Sequence, residues 1–257
     1  MRFLPILCGA FIATTVPALA WDIDTMNYQI ENTNVIVSEI CSGTIIDVKQ
    51  RLVLTANHCI TQNLTEVEKK TIDPVTGDIT TKKMMERRPM FIETWKRSTS
   101  DYTVISAQRF VAKIVGWDEP SDLAILQVID EAYMPTMAAP MASDSYTYLR
   151  GKTVYAVGNP GIELDNSLTQ GIISAPMRAF DVAGNGNRTL YFQHSASIMG
   201  GSSGGAIYND NGELIGVVSA GFKAMDAGLA VPIVETKKLL TKLKLVPGTA
   251  PTYVGQR

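Results

Sequence analysis

A serine with small neighbours on both sides is the first candidate for chemistry in this sequence. Ser203 lies in the run Gly201-Ser202-Ser203-Gly204-Gly205. A serine hydroxyl acts as a nucleophile when a base removes its proton and two backbone N–H groups converge on the oxygen that becomes negative. Flanking glycines let the chain turn tightly and let a substrate approach. The same composition is typical of a flexible loop without chemistry, so the run alone leaves both interpretations open.

The chain has two histidines that could serve as the base, His58 and His194. His58 follows the apolar run Val53-Leu54-Thr55-Ala56, which is typical of a buried strand, and Cys59 comes directly after it. A histidine at the end of a buried strand is held firmly and can face a cleft. The alternative is a structural histidine in the core or on the surface. The pattern favours His58 as the base.

A carboxylate at the start of an apolar strand is the candidate partner for that base. Asp122 precedes Leu123-Ala124-Ile125-Leu126, and a buried carboxylate needs a hydrogen-bonding partner such as an imidazole N–H. Such an aspartate fixes the tautomer of the histidine and stabilises the imidazolium. Asp118 and Asp101 are rivals in more polar surroundings, and Asp122 could instead cap the turn after Pro120. We predict that Ser203, His58 and Asp122 act together.

The serine run also matches the Gly-x-Ser-x-Gly turn of α/β-hydrolases. In those enzymes the acid and the histidine follow the serine along the chain. No histidine follows Ser203, and the sequence lacks alternating strand and helix patterns. We therefore exclude that fold.

Short β-branched or alternating runs must position these residues. They are separated by Gly, Asn, Asp or Pro, which favours an all-β barrel or sandwich. One helix is predicted, from after Pro232 to about Lys244. The charged stretch 61–102 is predicted to be a long exposed insertion, and 131–148 a link between two halves. The predicted strands are 35–37, 43–48, 52–55, 110–115, 123–128, 153–157, 171–174, 189–193, 214–219 and 228–231.

Composition and the first residues point to an exported globular chain. A length of 257 residues is ample for a hydrophobic core, and a net charge of -2 gives no reason to expect a nucleic-acid partner. Residues 1–20 have a positive start, an apolar run and the end Ala18-Leu19-Ala20, typical of a secretory signal. A membrane anchor is the alternative, but the run is short for a span. Without the signal, Cys41 and Cys59 remain, which suggests one disulfide or two buried thiols.

Three motifs together resemble those of chymotrypsin-fold serine peptidases. Val53 to Cys59 resembles their histidine motif, Ser121 to Leu126 their aspartate motif, and Gly201 to Ala206 their serine motif. The order His, Asp, Ser is the order of that fold. Further stretches are similar to the bacterial HtrA/Deg branch, so that the resemblance covers about residues 36 to 245. These stretches are 154–160, 169–175, 192–198 and 228–233.

The resemblance implies two six-stranded antiparallel β-barrels with a C-terminal helix. It places His58 and Asp122 in a barrel formed by 21–135, with the long loop at about 61–102, and Ser203 in a second barrel formed by 136–246. Residues 247–257 would be a tail. The tail leaves no room for a PDZ domain, so assembly controlled by such a domain is not expected.

The resemblance also assigns the rest of the site. Backbone N–H groups of Gly201 and Ser203 would form the oxyanion hole, and Cys41 would pair with Cys59. The specificity pocket would have Ser197 at its base, with Ser219, Ala220, Gly221 and Gly228 as walls. Without an acidic residue at the base, an uncharged small or medium apolar side chain is expected there. Two residues depart from the family pattern: Ser202 replaces the acidic residue of many animal homologues, and Ala206 replaces the usual proline.

The expected function is that of a secreted or periplasmic serine endopeptidase acting on a protein or peptide. No cofactor, metal, nucleic acid or lasting membrane anchor is expected, and the sequence does not determine the oligomeric state. The alternative is a catalytically silent or chaperone-like homologue that binds unfolded protein or a partner.

Overall fold

A computed structural model describes residues 21–61, 64–98, 103–161, 164–181, 186, 188–222 and 227–247. The predicted signal at 1–20, nearly all of the predicted tail and the rival Asp101 lie outside these residues. Within them, no helix combines the length and apolar character that crossing a bilayer requires.

Six antiparallel strands close the first barrel in the order β1-β2-β3-β8-β7-β6. Both faces of β3 and β8 are buried: Val53, Ala124 and Leu126 face the core of this barrel, whereas Leu54 and Ile125 join the core of the second. This burial on both faces explains why both strands have unbroken apolar sequences. Strand β3 ends two residues before His58, and β8 begins directly after Asp122. The strands are β1 (Asn34–Val37), β2 (Cys41–Asp47), β3 (Leu52–Ala56), β6 (Met90–Arg97), β7 (Val104–Asp118) and β8 (Leu123–Val128).

Six more antiparallel strands close the second barrel in the order β10-β11-β14-β13-β12-β9. Ser203 lies in the turn just before β12. Two closed six-stranded barrels confirm the predicted all-β fold class. The strands are β9 (Thr153–Gly158), β10 (Ser167–Phe180), β11 (Thr189–His194), β12 (Ala206–Tyr208), β13 (Leu214–Phe222) and β14 (Ala227–Pro232).

In the part of the chain that the structure describes, three helices accompany the barrels. The predicted C-terminal helix is confirmed as α3 (Ile233–Lys242), and the short α2 (Asn57–Thr61) carries His58. The sequence interpretation missed α1 (Ile23–Thr33), whose first turn is capped by Asp22. Buried side chains of α1 recur every three or four residues, which is the spacing of one helix face. Thr33 of this face contacts the Tyr208 hydroxyl of the second barrel at 3.1 Å.

The stretch 61–102, predicted to be a long exposed insertion, is mostly exposed but forms strands. It contains the two-stranded ribbon of β4 (Leu64–Ile72) and β5 (Ile79–Arg87), followed by β6, which is a barrel strand. In β6 the buried Met90 and Ile92 alternate with more exposed neighbours. The sequence pattern does not predict β6, because a half-exposed strand carries charges on one face.

Candidate active site

His58 and Asp122 meet at the edge of the first barrel. His58 Nδ1 lies 2.9 Å from Asp122 Oδ2 and 3.1 Å from Oδ1, and the His58 backbone N–H donates to Oδ1 at 2.9 Å. The carboxylate therefore fixes both the ring and the backbone of the histidine. Because Asp122 accepts at Nδ1, it favours the tautomer in which Nε2 is unprotonated and can take a proton.

Asp122 has an unusual backbone and one further partner. Its φ of 53° lies in the left-handed region, which few residues other than glycine, asparagine and aspartate adopt. Its carbonyl accepts from Asn57 N–H at 3.0 Å, so the turn that presents Asp122 is tied to α2. The Ser219 hydroxyl donates to Asp122 Oδ2 at 2.5 Å. The sequence interpretation assigned Ser219 to the pocket wall only, since no local pattern reveals a contact across 97 positions.

Ser203 is held beside this pair through Ser219. Ser203 Oγ donates to the Ser219 carbonyl at 3.5 Å, the limit of a hydrogen bond, while the Ser219 hydroxyl holds Asp122. In the described part of the chain, no hydrogen bond joins Ser203 Oγ to His58. Such bonds are often long without a substrate, and a hydroxyl bound this weakly is free to rotate towards an imidazole.

The backbone around Ser203 leaves two N–H groups available. Within the described residues, the N–H groups of Gly201 and Ser203 donate to no acceptor. Gly201 has a φ of 97°, and a Cβ atom there would lie 2.5 Å from the Asn159 carbonyl oxygen, so only glycine fits. Two free N–H groups beside a serine hydroxyl can stabilise a negatively charged oxygen.

A disulfide joins Cys41 to Cys59 and so restrains the backbone directly after His58. Their Cα atoms are 6.0 Å apart, and both residues are buried in the core of the first barrel. The bond connects the start of β2 to the residue after His58. The predicted pairing is therefore present in the structure, and both sulfurs are unavailable as thiolate ligands for a metal.

Replacing both cysteines with alanine should lower the free energy of unfolding by about 3 kcal/mol, because a cross-link 18 positions apart restricts the unfolded chain. Urea unfolding of the parent and the double variant would measure the difference. As a control, dithiothreitol should destabilise the parent by a similar amount and leave the variant unchanged. Equal stability of the oxidised parent and the variant would contradict the expectation.

His194 lies in the second barrel and not at the site. Its side chain is fully buried and packs near Phe192 and against Gly228, and among the described residues neither ring nitrogen has a partner in good hydrogen-bond geometry. Burial lowers its pKa to about 4. The ring is therefore neutral at physiological pH, and its position favours His58 as the base.

The buried His194 should make the fold sensitive to acid. The unfolded chain binds a proton at its ordinary pKa of about 6.5, whereas the folded chain binds it only near pH 4. Stability should therefore fall as the pH drops from 6.5 to 4, by about 3 kcal/mol from this group. Urea unfolding at pH 6.5 and pH 4 measures this loss of stability in His194→Leu and in its parent. Both proteins carry Ser203→Ala to prevent self-cleavage. Equal losses in the two proteins would rule it out.

A cavity of about 370 Å³ opens next to Ser203. The four predicted pocket residues Ser197, Ser219, Gly221 and Gly228 all line it. Met199 and Phe222 also line it, and none of its described lining residues is charged. The cavity can accept an uncharged side chain of a substrate held at Ser203.

The rival Asp118 is occupied elsewhere. Its Oδ2 accepts from the Ser121 hydroxyl at 2.6 Å, and its Oδ1 lies 3.5 Å from Lys242 Nζ. Asp118 thus fixes the turn before Asp122 and leaves the contact with His58 to Asp122.

Two closed six-stranded barrels, with a His–Asp pair on one and a serine turn on the other, define the chymotrypsin fold. The trypsin-like peptidase domain family matches residues 41–217, which is more than half of the chain, and the chain belongs to this family.

Among the curated proteins, the chain is similar to serine proteases named HtrA, DegS and DegP-like. The chain is 41% identical over 121 residues to the serine protease Do-like HtrA of Lactobacillus helveticus, covering 47% of this chain and 28% of the relative. It is 37% identical over 154 residues to the serine endoprotease DegS of Escherichia coli K12, covering 57% and 41%. It is 33% identical over 139 residues to a probable periplasmic serine endoprotease DegP-like of Rickettsia prowazekii, covering 52% and 26%. The matches thus span less than half of each relative.

Proposed function

We propose that this protein is a serine endopeptidase of the HtrA type that hydrolyses peptide bonds in protein substrates. The observation that carries the proposal is the joint geometry of His58, Asp122 and Ser203, with two unoccupied N–H groups beside the serine. The names of the relatives support the same activity.

In the proposed reaction, Ser203 Oγ attacks the carbonyl carbon of the scissile bond and its proton passes to His58 Nε2. Asp122 holds the Nδ1–H and stabilises the imidazolium. The N–H groups of Gly201 and Ser203 bind the negative oxygen of the tetrahedral intermediate. His58 then protonates the leaving amine, which leaves an acyl-enzyme. Water, deprotonated by His58, releases the acid and restores the serine hydroxyl.

The cavity beside Ser203 supports a preference for an uncharged residue before the scissile bond. Its small neutral residues leave room for an apolar side chain, whereas Lys or Arg would lack a buried counter-charge. The disulfide supports an oxidising compartment, and we propose a secreted or periplasmic location.

Fluorophosphonate labelling of the protein, with the mass shift mapped to Ser203, tests the activity. The expected result is a single labelled residue together with hydrolysis of casein, and a cleavage profile lacking Lys and Arg before the cut. A catalytically silent homologue would neither label nor cleave, and that outcome would overturn the proposal.

A further inference from the structure

Every carbonyl group in the turn from Gly200 to Ser203 is held by a hydrogen bond. This pairing fixes the orientation of each peptide group in a turn whose last three residues are buried or only partly exposed. The donors are Gly161 N to Gly200 O at 2.7 Å, Ser42 Oγ to Gly201 O at 2.7 Å, Gly205 N to Ser202 O at 3.0 Å, and Ser42 N to Ser203 O at 2.8 Å.

The carbonyls of Gly200 and Ser202 belong to the same peptides as the N–H groups of Gly201 and Ser203, so the bonds that hold these carbonyls also orient the proposed oxyanion hole. In a planar trans peptide the C=O and N–H bonds point in opposite directions. Because Gly161 holds the Gly200 carbonyl, the N–H of Gly201 in the same peptide points away from Gly161. Reversing that peptide would break the bond to Gly161 and remove the Gly201 donor from the hole.

The hydroxyl of Ser42 is directed by Asn159. A hydroxyl has one proton to donate and two lone pairs that accept. Asn159 N donates to Ser42 Oγ at 2.7 Å and Asn159 Nδ2 at 3.2 Å, so both acceptor positions are used. The single proton of Ser42 is left for the Gly201 carbonyl. Both side chains are nearly inaccessible, Ser42 at 0% and Asn159 at 2% exposure, so water does not compete for these bonds.

The side chain of Asn159 is itself held on both sides. Its Oδ1 accepts from Asn34 Nδ2 at 2.9 Å and from Asn166 N at 3.0 Å, while its Nδ2 donates to the Val35 carbonyl at 2.9 Å. This pattern permits only one orientation of the amide. Asn34 and Ser42 belong to the first barrel and Asn159 to the second, so the chain of bonds crosses the barrel interface.

We propose that Asn159 and Ser42 are positioning residues that hold the oxyanion hole in its binding geometry, and that they do so across the barrel interface. Neither residue touches the substrate. Ser42 fixes the peptide that follows Gly201 by donating to the Gly201 carbonyl, while Gly161 fixes the peptide that carries the Gly201 N–H. The effect of Ser42 and Asn159 therefore reaches the Gly201 N–H through the conformation of Gly201, which lies between these two fixed peptides. The proposal rests on the proposed peptidase function.

Ser42→Ala tests the proposal. Removing a direct oxyanion donor typically lowers kcat by 10²–10³-fold, and we expect about a ten-fold loss from loosening one. The KM for a p-nitrophenyl ester should stay within two-fold, because the interaction strengthens only in the transition state. The rate of fluorophosphonate labelling should fall with kcat. Asn159→Ala keeps the backbone N–H that donates to Ser42, so it should lower kcat by a smaller factor, again with little change in KM. This variant tests the proposal if Ser42→Ala does not fold.

Thr33→Val is the matched control. It removes a buried hydroxyl that also bridges to the second barrel, at Tyr208, but touches no part of the serine turn. It should lower the Tm and leave kcat unchanged. The proposal is overturned if Ser42→Ala and Asn159→Ala lower the Tm but keep kcat and the labelling rate within two-fold of the parent. It is also overturned if Thr33→Val lowers kcat as much as Ser42→Ala does. A parent protein that neither labels nor hydrolyses the ester would instead overturn the proposed function, and the positioning role with it.

Discussion

Ser203→Ala should reduce kcat/KM on casein or an ester by at least about 10⁴-fold, because it removes the proposed nucleophile and with it the acyl-enzyme route. Fluorophosphonate labelling should disappear altogether. Stability should change little, since among the described residues Ser203 Oγ makes a single long hydrogen bond, to the Ser219 carbonyl. Assays of turnover, labelling and urea unfolding on the same preparation would test all three statements.

Ser202→Ala is the control for this variant, because it removes the neighbouring hydroxyl in the same turn. Within the described ranges, the one hydrogen bond of Ser202 Oγ is accepted from Met199 N at 3.3 Å, and the backbone N–H and carbonyl of Ser202 keep their bonds in the variant. Labelling and turnover should therefore persist. If Ser203→Ala still labelled, or if Ser202→Ala abolished labelling, the nucleophile would be misassigned.

Asp122→Asn should lower kcat by about 10⁴-fold at neutral pH, while the protein stays folded. The amide has almost the shape of the carboxylate, but its NH₂ group can donate to His58 and favours the wrong tautomer of the imidazole. It also lacks the negative charge that stabilises the imidazolium. Steady-state rates with a p-nitrophenyl ester, with circular dichroism as a check on folding, measure the loss.

Asp118→Asn provides the comparison for Asp122→Asn, since it alters the rival aspartate four positions earlier. Its partners are Ser121 and Lys242 and not His58. Its rate should remain within a few-fold of the parent. A loss at Asp118 as large as that at Asp122 would contradict the assignment.

Local sequence patterns predicted most of the fold. Strands such as β3 and β8 are buried on both faces, so their sequences are apolar throughout and easily recognised. Three residues are too few to form a pattern in β12, and β6 carries charges on its exposed face. Most side chains of α1 are polar and its apolar face is narrow, so the sequence pattern does not predict this helix.

Motifs predicted the site residues, but not the contacts that orient them. The sequence indicated His58, Asp122 and Ser203 because each follows or precedes a recognisable strand or turn. The bonds from Ser219 to Asp122 and from Ser42 to Gly201 join residues 97 and 159 positions apart. No local spacing encodes such pairs, because the closing of two barrels brings them together. The catalytic roles remain predictions until the variants are measured.

The ribbon of β4 and β5 has a practical consequence for protein engineering. Its strands pair with each other from Leu64↔Arg87 to Ile72↔Ile79, and the barrel closes through β6 instead. The ribbon can therefore be replaced by another sequence without changing the pairing of the barrel strands. Its tip at Val75, which is 91% exposed, is also a suitable position for inserting an affinity tag or a reporter peptide. His58, Asp122 and Ser203 belong to other elements, so such an insertion would add a new group to the surface and leave the proposed active site unchanged.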